Sequence, residues 1–265
     1  MYYCGICNQK FKRINRRNKH MGHHNRQKQY THILSSVKHN RTDIVFKENG
    51  KLIFCLIEFR TMKEIEYVIN CILKVYDPSE IGFAIVYGNG NKDYIESITK
   101  DMTNVLHIKL DFNNISIKKY NKILRWKHFY DKFVNWEYML LIQTDALIVR
   151  KIDEIYFDYD YIGAPWSSLR PGGNGGFSLR KIDKFIDITK ENNIISKING
   201  SVNEDIFFST QGNMKYCKDM KIHRQFSVEE LFCPDPIGFH KVYNNHQILH
   251  HQWNHIINYI KQQLL

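Results

Sequence analysis

No stretch of this 265-residue chain approaches the ~18 to 20 consecutive apolar residues that a membrane-spanning helix needs. The N-terminus lacks the apolar core of a secretory signal, so the expectation is a soluble intracellular protein with no membrane partner. Acidic residues are missing from the first 41 positions, which hold ten Lys/Arg, among them Lys10, Lys12, Arg13, Arg16, Arg17 and Lys19. The formal charge of +11 is therefore local. Beyond residue 41 the chain carries 28 basic and 27 acidic residues, so an argument from charge to nucleic acid applies to the N-terminal segment alone. No internal repeat is visible, and no G-x-G-x-x-G follows the first strand-like run, which argues against a Rossmann dinucleotide cofactor.

What is present is enough to fold. Hydrophobic content of 43% and aromatic content of 14% exclude general disorder, and the length suits one full-sized domain with a small appendage. Six cysteines divide into a close pair, Cys4 and Cys7, and four scattered ones at 55, 71, 217 and 233, read as free thiols in or near the core.

Cys4-x2-Cys7-x12-His20-x3-His24 has the spacing at which two thiolates and two imidazoles surround a tetrahedral Zn²⁺. A unit of about 25 residues buries too little apolar surface to fold unaided, so metal binding has to drive its folding. Over residues 2–24 the chain resembles the Cys2His2 finger family, with Tyr2 and Phe11 where that family carries core aromatics. It departs from the family at Arg17, where Leu is usual. His23 is an alternative fourth ligand, though the three-residue spacing favours His24 and leaves His23 solvated. The resemblance implies a ββα unit with structural zinc and a contact with nucleic acid or protein through basic residues such as Arg13 and Lys19; the alternative is a basic disordered arm.

Beyond a polar, basic segment the pattern becomes globular. Leu52–Ile57, Ile81–Tyr87, Val105–Leu110 and Tyr138–Ile142 read as strands. Ile65, Val68, Ile69, Ile72 and Leu73 fall on one helical face, and Tyr120 to Phe133 holds apolar residues at helical spacing. Further helices are expected near 180–191, 203–210 and 245–262. Strands alternating with helices predict an α/β fold with a mostly parallel sheet flanked by helices. The expected division is a finger at 1–25, a basic and partly helical linker at 26–45, and a main domain at 46–265.

The strand Tyr138–Ile142 delivers Gln143-Thr144-Asp145 to its carboxyl end, where ligands bind in open α/β sheets. Downstream follow Tyr161-Ile162-Gly163-Ala164-Pro165-Trp166, Gly172-Gly173-Asn174-Gly175-Gly176-Phe177, Asn203-Glu204-Asp205 and Gly238-Phe239-His240-Lys241. That ordered set resembles the GT-A class of nucleotide-sugar glycosyltransferases, and more closely the glycosyltransferase-like domains common in giant DNA viruses. The similarity runs from about Leu52, through Glu58-Phe59-Arg60, to His240, and implies a GT-A-like (Rossmann-like) fold and a nucleotide diphosphate sugar donor, with an acceptor of unknown identity.

The resemblance implies that a D-x-D motif holds Mn²⁺ or Mg²⁺, which stabilises the leaving diphosphate. Here Gln143 replaces the first acid. Asp145 matches the metal-touching position, and Gln143 is left to hydrogen-bond ribose or sugar. His240 matches a late histidine of the metal or diphosphate site, and Lys241 can pair with phosphate; the bland alternative for His240 is an ordinary surface histidine. Glu204-Asp205 matches an acidic pair near the acceptor, where Asp205 is favoured over Glu204 as general base and helix capping is the alternative. Gly175 and Gly176 suit close approach of backbone to a sugar or diphosphate. Glu58 and Arg60 stand where nucleotide contacts occur in the class, or form a structural ion pair. Two competing readings remain: a nucleic-acid-binding protein with an inactive transferase-like domain, and a metal-dependent nuclease using Asp145, Glu204 and Asp205.

Overall fold

A computed structural model describes residues 2–4, 6–168, 170–190, 202–244 and 251–265. Strands β1 (Tyr2–Tyr3) and β2 (Lys10–Phe11) pair antiparallel and lead into helix α1 (Ile14–Ser36). The turn between them carries Asn8 at φ 56°, and the amide of Asn8 donates to Cys4 O. The side chains of Tyr2, Phe11 and Arg17 lie outside the described residues.

Helix α1 does not end with the Cys/His motif. Residues 26–45, expected as a linker, are helical to Ser36, and Tyr30, Ile33, Leu34 and Val37 are buried against Leu147, Val242, Trp253 and Ile257. Those four positions follow i, i+3, i+4, i+7, a buried helical face continued one residue past the helix end. In sequence only Ile33 and Leu34 stand out, because the segment is otherwise polar.

The main sheet takes β4 (Gly50–Ile57), β5 (Gly82–Tyr87), β7 (Val105–Lys109), β8 (Trp136–Ile142), β10 (Tyr161–Ala164) and β11 (Asn174–Lys181) in the order β10-β11-β8-β4-β5-β7. The four strands β8, β4, β5 and β7 run parallel, and β11 and β10 add an antiparallel edge. A short parallel pair, β3 (Ile44–Val45) with β6 (Met102–Thr103), lies apart. A second, three-stranded sheet joins β12 (Ser227–Val228), β13 (Gly238–His240) and β9 (Ala146–Ile148).

The continuous apolar run in β4 reflects burial on both faces. Leu52, Phe54 and Leu56 pack with Ile65, Val68, Ile69 and Ile72 of α2 (Glu64–Val75). Ile53, Cys55 and Ile57 face the other layer, with Phe129 and Tyr130 of α5 (Lys127–Tyr130) and Phe185 of α6 (Ile182–Thr189). Helix α3 (Lys92–Thr99) follows β5. The long helical pattern from Tyr120 to Phe133 resolves into α4 (Ile117–Leu124) and α5. Trp126 is extended between them, and the hydroxyl of Tyr130 donates to Leu124 O across the break.

Later helices are α7 (Glu204–Ser209), α8 (Met220–Phe226) and α9 (Trp253–Leu264). Of the span 245–262, residues 245–250 lie outside the described residues. Cys55, Cys71, Cys217 and Cys233 are all buried, in accord with their reading as core thiols. Among the described residues no helix is long and apolar enough to cross a membrane.

If α1 is part of this core, Leu34→Ala will cost roughly 2–5 kcal/mol of stability, the usual range for truncating a buried leucine. Urea unfolding measures it, and a loss below about 0.5 kcal/mol, typical of a surface change, would return the segment to a linker.

Candidate active site

The carboxyl ends of β4 and β8, the start of β11 and the first turns of α4 and α7 border one cleft of about 580 Å³. Glu58, Arg60, Gln143, Asp145, Gly175, Gly176, Glu204, Asp205 and Lys241 all line it. Sequence positions scattered over more than two thirds of the chain thus converge, as the open α/β rule anticipates.

The small sheet explains how the late histidine arrives. β13 runs antiparallel to β9 with His240 opposite Ala146, so His240 stands beside Asp145. Its Nε2 lies 3.4 Å from Asp145 Oδ1 and 3.2 Å from Gln143 Oε1. Its Nδ1 faces Glu229 Oε1 at 3.4 Å. His240 is buried rather than a surface histidine. Burial lowers the basicity of the imidazole, but Asp145 and Glu229 outweigh it and the pKa is raised. For Asp145 burial pushes the carboxyl up, while His240 and then Lys241 pull it below its ordinary value. Lys241 Nζ is 3.8 Å from Asp145 Oδ2, and its amide donates to Asp145 O at 3.0 Å.

Gln143 uses both ends of its amide, donating from Nε2 to Tyr120 OH at 2.8 Å and presenting Oε1 to His240. Asp145 Oδ1 is buried without a hydrogen-bond partner. An orphaned carboxylate oxygen beside an imidazole nitrogen and an amide oxygen fits a divalent cation of the Mn²⁺ or Mg²⁺ kind, which takes such donors.

The two acids of α7 divide. Glu204 turns inward to Arg180 Nη2 at 3.0 Å, and Arg180 is itself fully buried, donating to Tyr130 OH at 3.0 Å and to Ser178 Oγ at 2.9 Å. The amide of Glu204 donates to Asn121 Oδ1 at 3.0 Å. Burial pushes the Glu204 carboxyl up against the pull of Arg180. Asp205 accepts from the amides of Ile206 at 2.7 Å and Gly175 at 3.4 Å and is only half-buried.

Glu58 and Arg60 form the ion pair foreseen as one alternative, with Arg60 Nη2 2.7 Å from Glu58 Oε2, and both still line the cleft. Of the glycine-rich stretch, Gly175 and Gly176 belong to strand β11, whereas Gly172 and Gly173 precede it at positive φ. A Cβ on Gly175 would overlap Glu204 Oε1, and one on Gly176 would overlap His240 Nε2, so the glycines make room for side chains of the site itself. Sequence reasoning missed Tyr120, Asn121, Arg180 and Glu229. None carried a local signal: Arg180, for one, stands between Leu179 and Lys181 in a strand of mixed polarity.

At the N-terminus the ligand atoms of Cys4, Cys7, His20 and His24 lie within 4.8 Å of one another, a group that can bind zinc. His23, expected to be solvated, is half-buried, and its Nδ1 donates to Tyr243 O at 2.9 Å.

Residues 103–240 match a family model described as "Protein of unknown function (DUF5672)". No curated protein matches the chain. Among solved structures, the apo form of the glycosyltransferase GlyE of Streptococcus pneumoniae TIGR4 aligns with a TM-score of 0.51 at 13% identity, over 81% of this chain and 63% of that one. TarS of S. aureus aligns at 0.39 and 15% identity over 60% and 54%. The mannosyltransferase PcManGT of Pyrobaculum calidifontis, in complex with GDP-Man and Mn²⁺, aligns at 0.27 and 13% identity over 49% and 38%. This chain thus spans less than two thirds of each. The GlyE alignment shows that this chain shares the fold of that protein.

Arg180→Met will strand Glu204 as an unpaired buried charge and lower stability by about 3–5 kcal/mol. The double change Arg180→Met with Glu204→Gln will recover part of it in urea unfolding; no recovery would deny the pairing.

Proposed function

Because the chain belongs to the DUF5672 family, whose function is unknown, its activity has to be read from its own cleft, and we propose that it is a metal-dependent glycosyltransferase using a nucleotide diphosphate sugar. The observation that carries this reading is the meeting of Asp145, His240 and Gln143 at the carboxyl end of a central strand, beside a cleft that Asp145, Gln143 and Asp205 line. Asp145 and His240 would hold Mn²⁺ or Mg²⁺, with Gln143 oxygen beside them. The cation, when bound, supplies positive charge to diphosphate oxygens as the leaving group departs.

The protein's own groups account for the rest. Lys241 offers a second positive charge to phosphate, and Glu58 and Arg60 contact the nucleotide. The small Gly175–Gly176 edge lets the donor approach the backbone. Asp205 takes the proton of the acceptor hydroxyl while that oxygen bonds to the anomeric carbon and the electron pair of the breaking C–O bond leaves with the diphosphate. Glu204 is assigned to holding Arg180 instead. Zinc on Cys4, Cys7, His20 and His24 folds the finger, residues 1–25, against a transferase unit of residues 46–265. The basic surface of the finger would contact nucleic acid or protein to target the enzyme.

Titration calorimetry with UDP- and GDP-sugars in the presence of Mn²⁺ tests the reading. Wild type should bind one of them, and Asp145→Asn should bind it at least about tenfold more weakly, the loss expected when a ligand or its charged neighbour is removed. Asp205→Asn should keep binding but slow donor turnover by roughly 100-fold or more, the usual contribution of a general base. Failure of the wild type to bind any nucleotide sugar would defeat the proposal.

Metal analysis of the purified chain should find one zinc, lost on Cys4→Ser. A folded N-terminal unit without zinc would contradict its structural role.

A further inference from the structure

We propose that the N-terminal zinc-binding helix is a positioning element of the cleft, in which His23 and Tyr30 hold Tyr243 and, through it, the His240–Lys241 segment that faces Asp145. The geometry stands apart from the transferase reading; only the effect on nucleotide binding rests on it. His23 lies between the two histidines of the zinc group, and its Nδ1 donates to Tyr243 O at 2.9 Å. Two turns further along α1, the ring of Tyr30 packs on that of Tyr243 with centroids 5.3 Å apart, and the His23 ring sits 5.8 Å from the same ring. Tyr30 is 3% exposed. The same stretch of the helix is held by Trp253, whose Nε1 donates to Gln29 Oε1 at 2.7 Å.

What these contacts grip is a constrained segment. Lys241 has φ +48°, a left-handed conformation that a side-chain-bearing residue keeps only where its surroundings impose it. Its amide and ammonium both reach Asp145, at 3.0 and 3.8 Å. Tyr243 follows two residues later, in the 3-10 turn Val242–Asn244, so the contact with α1 is made next to the strained residue. Zinc would fix His20 and His24 and with them the helical turn that aims His23. A module serving only for targeting has no need of a helix embedded in the core beside the active centre.

Coupling of this kind is reciprocal: whatever zinc does for the segment, a ligand on the segment does for zinc. Hydrogen–deuterium exchange of the full chain, with zinc and after its chelation, provides the test. Exchange across residues 238–244 should quicken by about tenfold on chelation, a typical coupling between linked sites, while β8 stays unchanged. His23→Ala with zinc bound should reproduce the effect, and His23→Gln, which keeps a donor, should restore protection. Should His23→Ala fail to fold, the chelation series on the wild type decides alone. Zinc affinity, measured by competition with a chromophoric chelator, should tighten when Mn²⁺ and UDP or GDP are added. Unchanged exchange at 238–244, or an equal rise in β8 that marks general unfolding, overturns the proposal. Absence of nucleotide binding overturns the transferase reading alone.

Discussion

The antiparallel pairing of β13 with β9 is the constraint on which the cleft depends. It sets His240 opposite Ala146 and so beside Asp145, and the amide of Lys241 closes the arrangement on Asp145 O. Without that register Asp145 would be a lone carboxylate at a strand end, of the kind that usually caps a turn. With it, carboxylate and imidazole support one another's charged forms, although burial opposes both. Glu229 on the opposite ring nitrogen favours a proton at Nδ1 and leaves Nε2 toward Asp145 and Gln143, the outer-shell orientation common behind metal-binding histidines.

A second buried pair serves the other wall. Arg180 projects from β11 beneath the cleft, ringed by Tyr161, Phe185 and Phe208, and its charge is met by Glu204. Such a pair brings little net stability because both charges give up water, yet removing either member leaves the other exposed to the full cost of burial. Its consequence is geometric. Glu204 is pinned inward at the first turn of α7, which leaves its neighbour Asp205 to face the cleft. Gly175 is required at the crossing, since any side chain there would displace Glu204.

How much of this was legible in the sequence follows from the range of the interactions involved. The parallel strands β4, β5, β7 and β8 and helix α2 announce themselves through local apolar runs and periodicity, because burial on both faces leaves no polar position to blur them. Gln143, Asp145 and His240 stand out by their order along the chain and their resemblance to a known class; Gln143 and Asp145 line the cleft, and His240 is buried in contact with both. Three things were not legible. Strands β10 and β11 are short or open on glycines and give no clear periodic signal, so they show only through the pairing of β11 with β8 and of β10 with β11. The role of α1 rests on Tyr30 and Val37, isolated apolar residues whose partners lie some two hundred positions away in Val242 and Trp253. Glu229 and Asn121 were invisible for the same reason: their meaning comes wholly from what they touch.

Gln143 is the point at which family pattern and local physics meet. The resemblance to the GT-A class leads one to expect an acid there, so in sequence Gln143 looks like the loss of a metal ligand. In the cleft the amide is engaged at both ends, because Nε2 donates to Tyr120 OH and Oε1 faces His240 Nε2. Aspartate at 143 would be one methylene shorter and, when ionised, would have no hydrogen to give Tyr120. It would also set a further carboxylate beside an imidazole already flanked by Asp145 and Glu229. Like charges gathered so closely resist ionisation together. A neutral acceptor at this position keeps an oxygen at the mouth of the site while leaving the charge to Asp145. Tyr120 in turn ties Gln143 to α4, whose next residue, Asn121, binds the amide of Glu204. Replacement of the acid is therefore matched by its surroundings, and the two walls of the cleft are joined through it.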